Sequence, residues 1–327
     1  METSSATPTS PETRSIPMTA VLFPGQGSQE PGMGRDVAEA HPEAMELWKT
    51  AERAAGVRLR EIYWDGDEAA QTDTRYVQPA LTVVNLTLWQ RLAARVTPAC
   101  VAGHSLGEFS ALAAAGVLDP ARVLELVSLR GRLMAEADPA GKGRMAAVVK
   151  LNLASVEEIV AEVVRATGEM LLVANHNSPA QYVLSGTAAA VAAVEPLVKE
   201  RKGRAIGLAV SGAFHSPMMA EAAKELEGAM KRLDWRRPRC PVFLNVTGEA
   251  ATDAEAIHAA MARQMISSVR WVQTVAGQWD MGVRRWLEVG PKTVLTKLLK
   301  ANLEGRDGVW EGLGVGGLAQ VEALAAG

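Results

Sequence analysis

The stretch from Val101 to Val117, VAGHSLGEFSALAAAGV, sets Ser105 between Gly103 and Gly107, after a short apolar run and before an alanine-rich one. A serine at a sharp strand-to-helix turn, with small residues two positions away on each side, can present its hydroxyl to a cleft as a nucleophile. The helix that follows would aim its free N–H groups at the place where negative charge develops during acyl transfer. GxSxG is a weak signal by itself, and the same residues suit an ordinary serine that caps a helix.

Three further features bear on the chemistry. Phe23-Pro-Gly-Gln-Gly-Ser-Gln29 follows an apolar run, where open α/β sheets bind ligands. It is neither a dinucleotide fingerprint nor a phosphate-binding loop, because Glu30 replaces the third glycine and Met33 stands where lysine is needed. It reads instead as a simple turn, or as a tight loop whose Gln26 amide could join that of Leu106 in an oxyanion hole. The second feature is Arg130, which falls on the apolar face made by Val123, Leu126, Val127 and Met134 of a helix starting at Asp119-Pro120, with Asp119 as N-cap. A guanidinium there must snorkel, pair with an internal glutamate, or grip a substrate carboxylate in its planar fork. The third is histidine. His41 and His258 read as solvated helical residues, and His104 is expected to point away from Ser105 across the turn. His176 and His215 remain, and Ser211-Gly-Ala-Phe-His-Ser-Pro217 places His215 in a punctuated loop suited to a general base.

The elements that must position these groups alternate between short apolar runs and helical patterns: Thr19 to Phe23 then Gly34 to Ala55, and Cys100 to Ala102 then Leu106 to Ala115. Such alternation predicts a parallel α/β sheet. From Arg144 the order becomes β-α-β-β-α-β, with strands at Met145–Lys150, Leu171–Asn175, Tyr182–Ser185 and Ala205–Ser211 and helices at Ser155–Thr167 and Ala188–Lys202. Late strands follow at Val242–Asn245 and Arg285–Val289. The expected organisation is a disordered tail over 1–17, a large α/β-hydrolase-like domain with a mostly parallel sheet from 18–143 and 211–327, and a small inserted ferredoxin-like (split βαβ) domain over 144–210.

Composition excludes several classes. The 327 residues are 48% hydrophobic and 22% charged with a formal charge of −3, so no global basic field argues for nucleic acid. Cys100 and Cys240 lie far apart without metal-ligand spacing, and neither a disulfide framework nor a metal site is expected. The Ser-, Thr- and Pro-rich opening lacks the features of a secretory signal, and no run is long enough to span a bilayer. A cytoplasmic monomer with no membrane or nucleic-acid partner is expected.

Together the motifs resemble the malonyl-CoA:acyl carrier protein transacylases of type II fatty acid synthesis and the related acyltransferase domains of polyketide synthases. The resemblance runs from about Met18 to about Lys300, through GQGSQ at Gly25, QPA at Gln78, GHSLGE at Gly103, LRG at Leu129, NSPAQ at Asn177, GAFHS at Gly212 and EVGP at Glu288. It implies Ser105 as nucleophile, His215 as base, Arg130 as anchor for the malonyl carboxylate, and the Gln26 and Leu106 amides as oxyanion donors. It also implies Gln264 near the histidine, where main-chain carbonyls orient the imidazole, Asn177 near the cleft, and Phe214 filling the space that an α-methyl group would need. No cofactor is implied; the substrates are malonyl-CoA and holo acyl carrier protein, an acidic partner for which Lys231, Arg232, Arg236, Arg237 and Arg239 form the densest basic cluster. Two other enzymes share features with this reading: a free-standing polyketide acyltransferase, and an α/β-hydrolase-type esterase or thioesterase. In the latter the catalytic histidine falls later in the chain.

Overall fold

The computed structural model describes residues 17–66, 68–210 and 212–326. The expected tail lies outside these residues except for Pro17, as does Ser211, the last residue of an expected strand. Among the described residues ten strands form two sheets. The first is ordered β10-β9-β1-β2-β7-β8, with β1 at Thr19–Phe23, β2 at Cys100–Gly103, β7 at Val242–Phe243, β8 at Ala250–Ala251, β9 at Arg285–Val289 and β10 at Glu311–Val315. All its pairs are parallel except β7 with β8. Every residue of β1 and β2 is buried, as strands covered on both faces require. Side-chain alternation divides the core between the two faces: Val21, Phe23 and Val101 pack with Trp48 and Leu81, while Ala20, Leu22, Cys100 and Ala102 pack with Trp271 and Trp286.

The second sheet is antiparallel throughout, ordered β4-β5-β3-β6, with β3 at Gly143–Val149, β4 at Leu171–Ser178, β5 at Gln181–Thr187 and β6 at Arg204–Gly207. One face buries Val148 and Leu184 against the helices Leu153–Thr167 and Ala188–Glu200 through Val156, Ile159, Val163 and Val194. The opposite face turns Met145, Ala147 and Val183 toward a cleft that residues of the first sheet's loops also line. The edge strand β4 is stitched to the main body: His176 N–H donates to the Val269 carbonyl, Val269 N–H to the Ala174 carbonyl, and the Ser268 hydroxyl to the Val173 carbonyl.

Several local expectations need correction. Gly34 to Ala55 is two helices, Arg35–Ala40 and Pro42–Ala55, because proline at 42 suits a first helical position but cannot continue a helix from before it. Asp119 precedes its helix but does not cap it with its side chain; the carboxylate pairs with Arg236 instead. The helix Thr74–Leu92 was not anticipated, since it is buried on nearly all sides, Gln78, Thr82 and Asn85 included, and so shows no amphipathic stripe. The last small-sheet strand stops at Gly207, and Leu208 and Val210 line the cleft beyond it. Among the described residues no helix is long and apolar enough to cross a membrane.

Candidate active site

Ser105 follows the carboxyl end of β2 with a φ of 50°, a left-handed conformation that a non-glycine residue keeps only under constraint. The flanking glycines permit the turn. A Cβ on Gly103 would lie 2.0 Å from the main chain of Gly107, and one on Gly107 would lie 2.0 Å from the Phe23 carbonyl oxygen. Polar contacts from distant segments then fix the serine. Its N–H donates to Asn245 Oδ1 at 2.7 Å, and its carbonyl accepts from Gln264 Nε2 at 2.8 Å. Asn245 Nδ2 donates to the Gly103 carbonyl at 2.7 Å, closing the brace around the turn.

The Ser105 hydroxyl lies 2.7 Å from His215 Nε2. His215 Nδ1 lies 3.1 and 3.0 Å from the carbonyl oxygens of Gln264 and Ser267. Carbonyls only accept, so Nδ1 carries the proton and Nε2 offers its lone pair to the serine. Burial, and after it the nearby Arg130 cation, push the imidazole down to about 3. It is therefore neutral at physiological pH, the state a general base needs. Among the described residues the partners that orient Nδ1 are these two carbonyls, and neither is a carboxylate.

Arg130 is buried on the helix Pro120–Glu136, where Nη1 donates to Gln78 Oε1 at 2.8 Å and Nη2 to Gln264 Oε1 at 3.0 Å and, at 3.3 Å, to the Ser105 hydroxyl oxygen. Among the described residues its buried Nε has no hydrogen-bond partner, and its guanidinium lies 5.6 Å from the centre of the Phe109 ring. Burial lowers it to about 10, against the pull of Glu108, so it stays a cation. It does not snorkel, and among the described residues it forms no direct pair with a glutamate; its hydrogen-bond partners are neutral. A cation so placed beside the nucleophile, lining the cleft, is suited to an acyl group that brings its own carboxylate.

The cleft has a volume of about 480 Å³ and is lined by Gln26, His104, Ser105, Leu106, Arg130, Asn177, Phe214 and His215, among others. The Gln26 side chain is tied to Thr74 Oγ1 at 3.0 Å, and among the described residues the Gln26 and Leu106 amides have no acceptor in the protein. Both N–H groups are available to an oxyanion. Asn177 takes a hydrogen bond on Oδ1 from His104 Nε2 at 2.8 Å, and its carbonyl accepts from Asn302. Phe214 is buried beside the base. Gln264 lies behind the cleft wall, joining Arg130 to Ser105 and Glu108.

Two histidines differ from expectation. His104 lines the cleft, edge-on to Trp271, because the turn at Ser105 ends the strand alternation that would have sent it away. His258 is half-buried, edge-on to Trp235, rather than on a fully solvated face. His176 packs on Tyr182 outside this cleft. Sequence pattern assigns no site role to Asn245, Glu108 or Gln78: Glu108 and Gln78 lie within the GHSLGE and QPA motifs, and Asn245 ends a strand-like run with no local cue to its partner.

Comparisons with known proteins agree with this chemistry. Residues 21–318 match the acyl transferase domain family. A malonyl CoA-acyl carrier protein transacylase of Bacillus subtilis (strain 168) is 37% identical over 283 residues, covering 86% of this chain and 89% of the relative. The crystal structure of an acyl carrier protein S-malonyltransferase from Vibrio cholerae superposes with a TM-score of 0.86 at 37% identity, covering 94% of this chain and 99% of that one. A malonyl-transacylase solved in complex with a type II polyketide synthase acyl carrier protein gives a TM-score of 0.88 at 35% identity, covering 95% and 100%. A mixed α/β protein with a mostly parallel sheet, a serine at its sharpest turn and these relatives, the chain belongs to the acyl transferases, among the malonyl-CoA:acyl carrier protein transacylases.

Proposed function

We propose that this enzyme transfers the malonyl group of malonyl-CoA to the phosphopantetheine thiol of an acyl carrier protein, supplying extender units for fatty acid synthesis. The observation that carries this reading is Arg130: a buried cation facing the cleft beside the nucleophile, with no carboxylate in contact among the described residues. His215 Nε2 takes the Ser105 proton as the oxygen attacks the thioester carbonyl. The oxyanion is held by the Gln26 and Leu106 amides, and the proton passes to the departing CoA sulfur. The carrier's thiol then attacks malonyl-Ser105, gives its proton to His215, and the serine recovers it. No cofactor is needed, since base, anion grip and oxyanion donors cover every step.

The same reading takes the four-stranded insert, about residues 144–210, as a ferredoxin-like domain closing the cleft, supported by its β-α-β-β-α-β order and its sheet order β4-β5-β3-β6. The rest, 18–143 and 211–327, is an α/β-hydrolase-like domain. Phe214 walls off the α-carbon, and the enzyme works as a cytoplasmic monomer. A free-standing polyketide acyltransferase is the second reading, favoured by the structural relative solved with a polyketide carrier.

Intact-mass analysis after brief mixing with a panel of acyl-CoAs tests the proposal. A malonyl adduct on the native enzyme, lost in Ser105→Ala with the fold retained, is expected. A preference for simple esters without CoA, or a persistent adduct in the variant, refutes it.

A further inference from the structure

Glu108 is a buried carboxylate that acyl transfer leaves unused. It lies on the first turn of the helix Gly107–Ala114, fully buried. Both oxygens face neutral donors: the Asn245 main-chain N–H reaches Oε1 at 2.9 Å, and Gln264 Nε2 reaches Oε2 at 3.0 Å. The other end of the same Gln264 amide accepts from Arg130 at 3.0 Å. One neutral amide therefore stands between a buried carboxylate and a buried guanidinium. That spacing satisfies the cation electrostatically while leaving the face toward the cleft free of a competing anion.

Resting on the malonyl reading above, we infer that Glu108 is a positioning residue that balances Arg130 while the cleft is empty and takes up a proton from solvent when an acyl carboxylate reaches that arginine. With Glu108 ionised, an arriving malonyl group puts two carboxylates on one cation in a water-poor site, and like charges there cannot both ionise cheaply. Protonating Glu108 relieves the conflict. Burial already holds its carboxyl up at about 7, above the ordinary carboxylate range, so the proton costs little near neutral pH. An acetyl group brings no charge and leaves Glu108 as it was. Arg130 is the charge that acts on Glu108 directly; Gln264 and Asn245, from the other elements packed against it, are neutral. Of the other titratable groups lining the cleft, His104, His215 and Lys297, His215 also feels Arg130 but is held down to about 3, so it stays neutral across the tested range with either acyl group.

The test is a competition between malonyl-CoA and acetyl-CoA for Ser105, read as the ratio of the two loading rates across pH. Damage to the serine, the base or the oxyanion donors affects both substrates and cancels in the ratio, as do the CoA phosphates. In the native enzyme the malonyl-to-acetyl ratio should fall about fivefold or more as Glu108 ionises between about pH 6 and about pH 8.5. In Glu108→Gln the ratio should be flat with pH. A flat ratio in the native enzyme, or an unchanged slope in the variant, overturns the inference. Should the variant fail to fold, proton uptake by the native enzyme decides, followed with an indicator dye at low buffer near pH 7. Malonyl loading should take up a fraction of a proton that acetyl loading does not, and equal uptake overturns the inference. Failure of malonyl to load at all refutes the transferase reading itself, and this inference with it.

Discussion

Arg130 and His215 sit so close to Ser105 that each constrains what the other can do. The cation helps hold the imidazole neutral, so the base stays unprotonated as pH falls below the ordinary histidine value and is lost only near 3. An exposed imidazole with a pKa of about 6.5 would lose roughly thirtyfold of its base form by pH 5. Acyl-enzyme formation, measured by quenched flow and intact mass, should keep most of its rate between pH 7 and pH 5; a thirtyfold fall would show that His215 titrates as if exposed. Arg130→Ala should cost malonyl transfer about 2–5 kcal/mol, the range for removing one partner of a buried charged pair. Loading of neutral acyl groups should improve, and Arg130→Lys should rescue only in part, because a point charge lacks the fork. Equal loss of malonyl and acetyl loading would make the arginine structural.

The elements that present these residues meet at very short range, and glycine makes that possible. In Gly107→Ala the new methyl would meet the Phe23 carbonyl oxygen, which belongs to a central strand and cannot retreat. Destabilisation of about 1–3 kcal/mol or more is expected from the overpacking, with loss of acylation. Urea unfolding and intact mass check the two parts, and a variant of native stability would place the strain elsewhere. That turn was legible in the sequence because its cues are local: a strand-like run, paired glycines around a serine, an alanine-rich helix. The register of Arg130 on an apolar helix face was legible for the same reason. The brace behind them was not. Asn245 holds Ser105 from 140 positions away, and Gln264 reaches Glu108 across 156, and pairings of that separation leave no periodic trace. The helix Thr74–Leu92 is illegible in the sequence for a different reason, since burial on nearly all sides removes the polar stripe that marks a helix.

Across the whole molecule, the site gathers at the carboxyl ends of β1 and β2, where open parallel sheets bind ligands. The basic cluster expected to meet the carrier protein lies beyond the far end of the helix Gly107–Ala114. Arg236 and Arg239 bond through their main-chain N–H groups to Val117 and Ala115, past the far end of the serine helix, about 12 Å of helix away from Ser105. Lys231 and Arg236 are also engaged, with Glu227 and Asp119. Reversing Arg232 and Arg237 to Glu should raise the KM for carrier protein and leave that for malonyl-CoA unchanged, since surface charge steers an anionic partner; equal effects on both would count against docking there. The stitching of β4 has a consequence of another kind. Val269, which exchanges hydrogen bonds with Ala174 and His176, lies two residues beyond the Ser267 carbonyl that orients the base. An outward shift of β4 would pull on the segment that carries the imidazole's support, so opening the second sheet and keeping the base primed are expected to exclude each other. The Val269 and His176 amides then become a built-in gauge of readiness. Their deuterium uptake should be slow while the enzyme is competent, and any solvent or additive that quickens it should silence acylation in proportion.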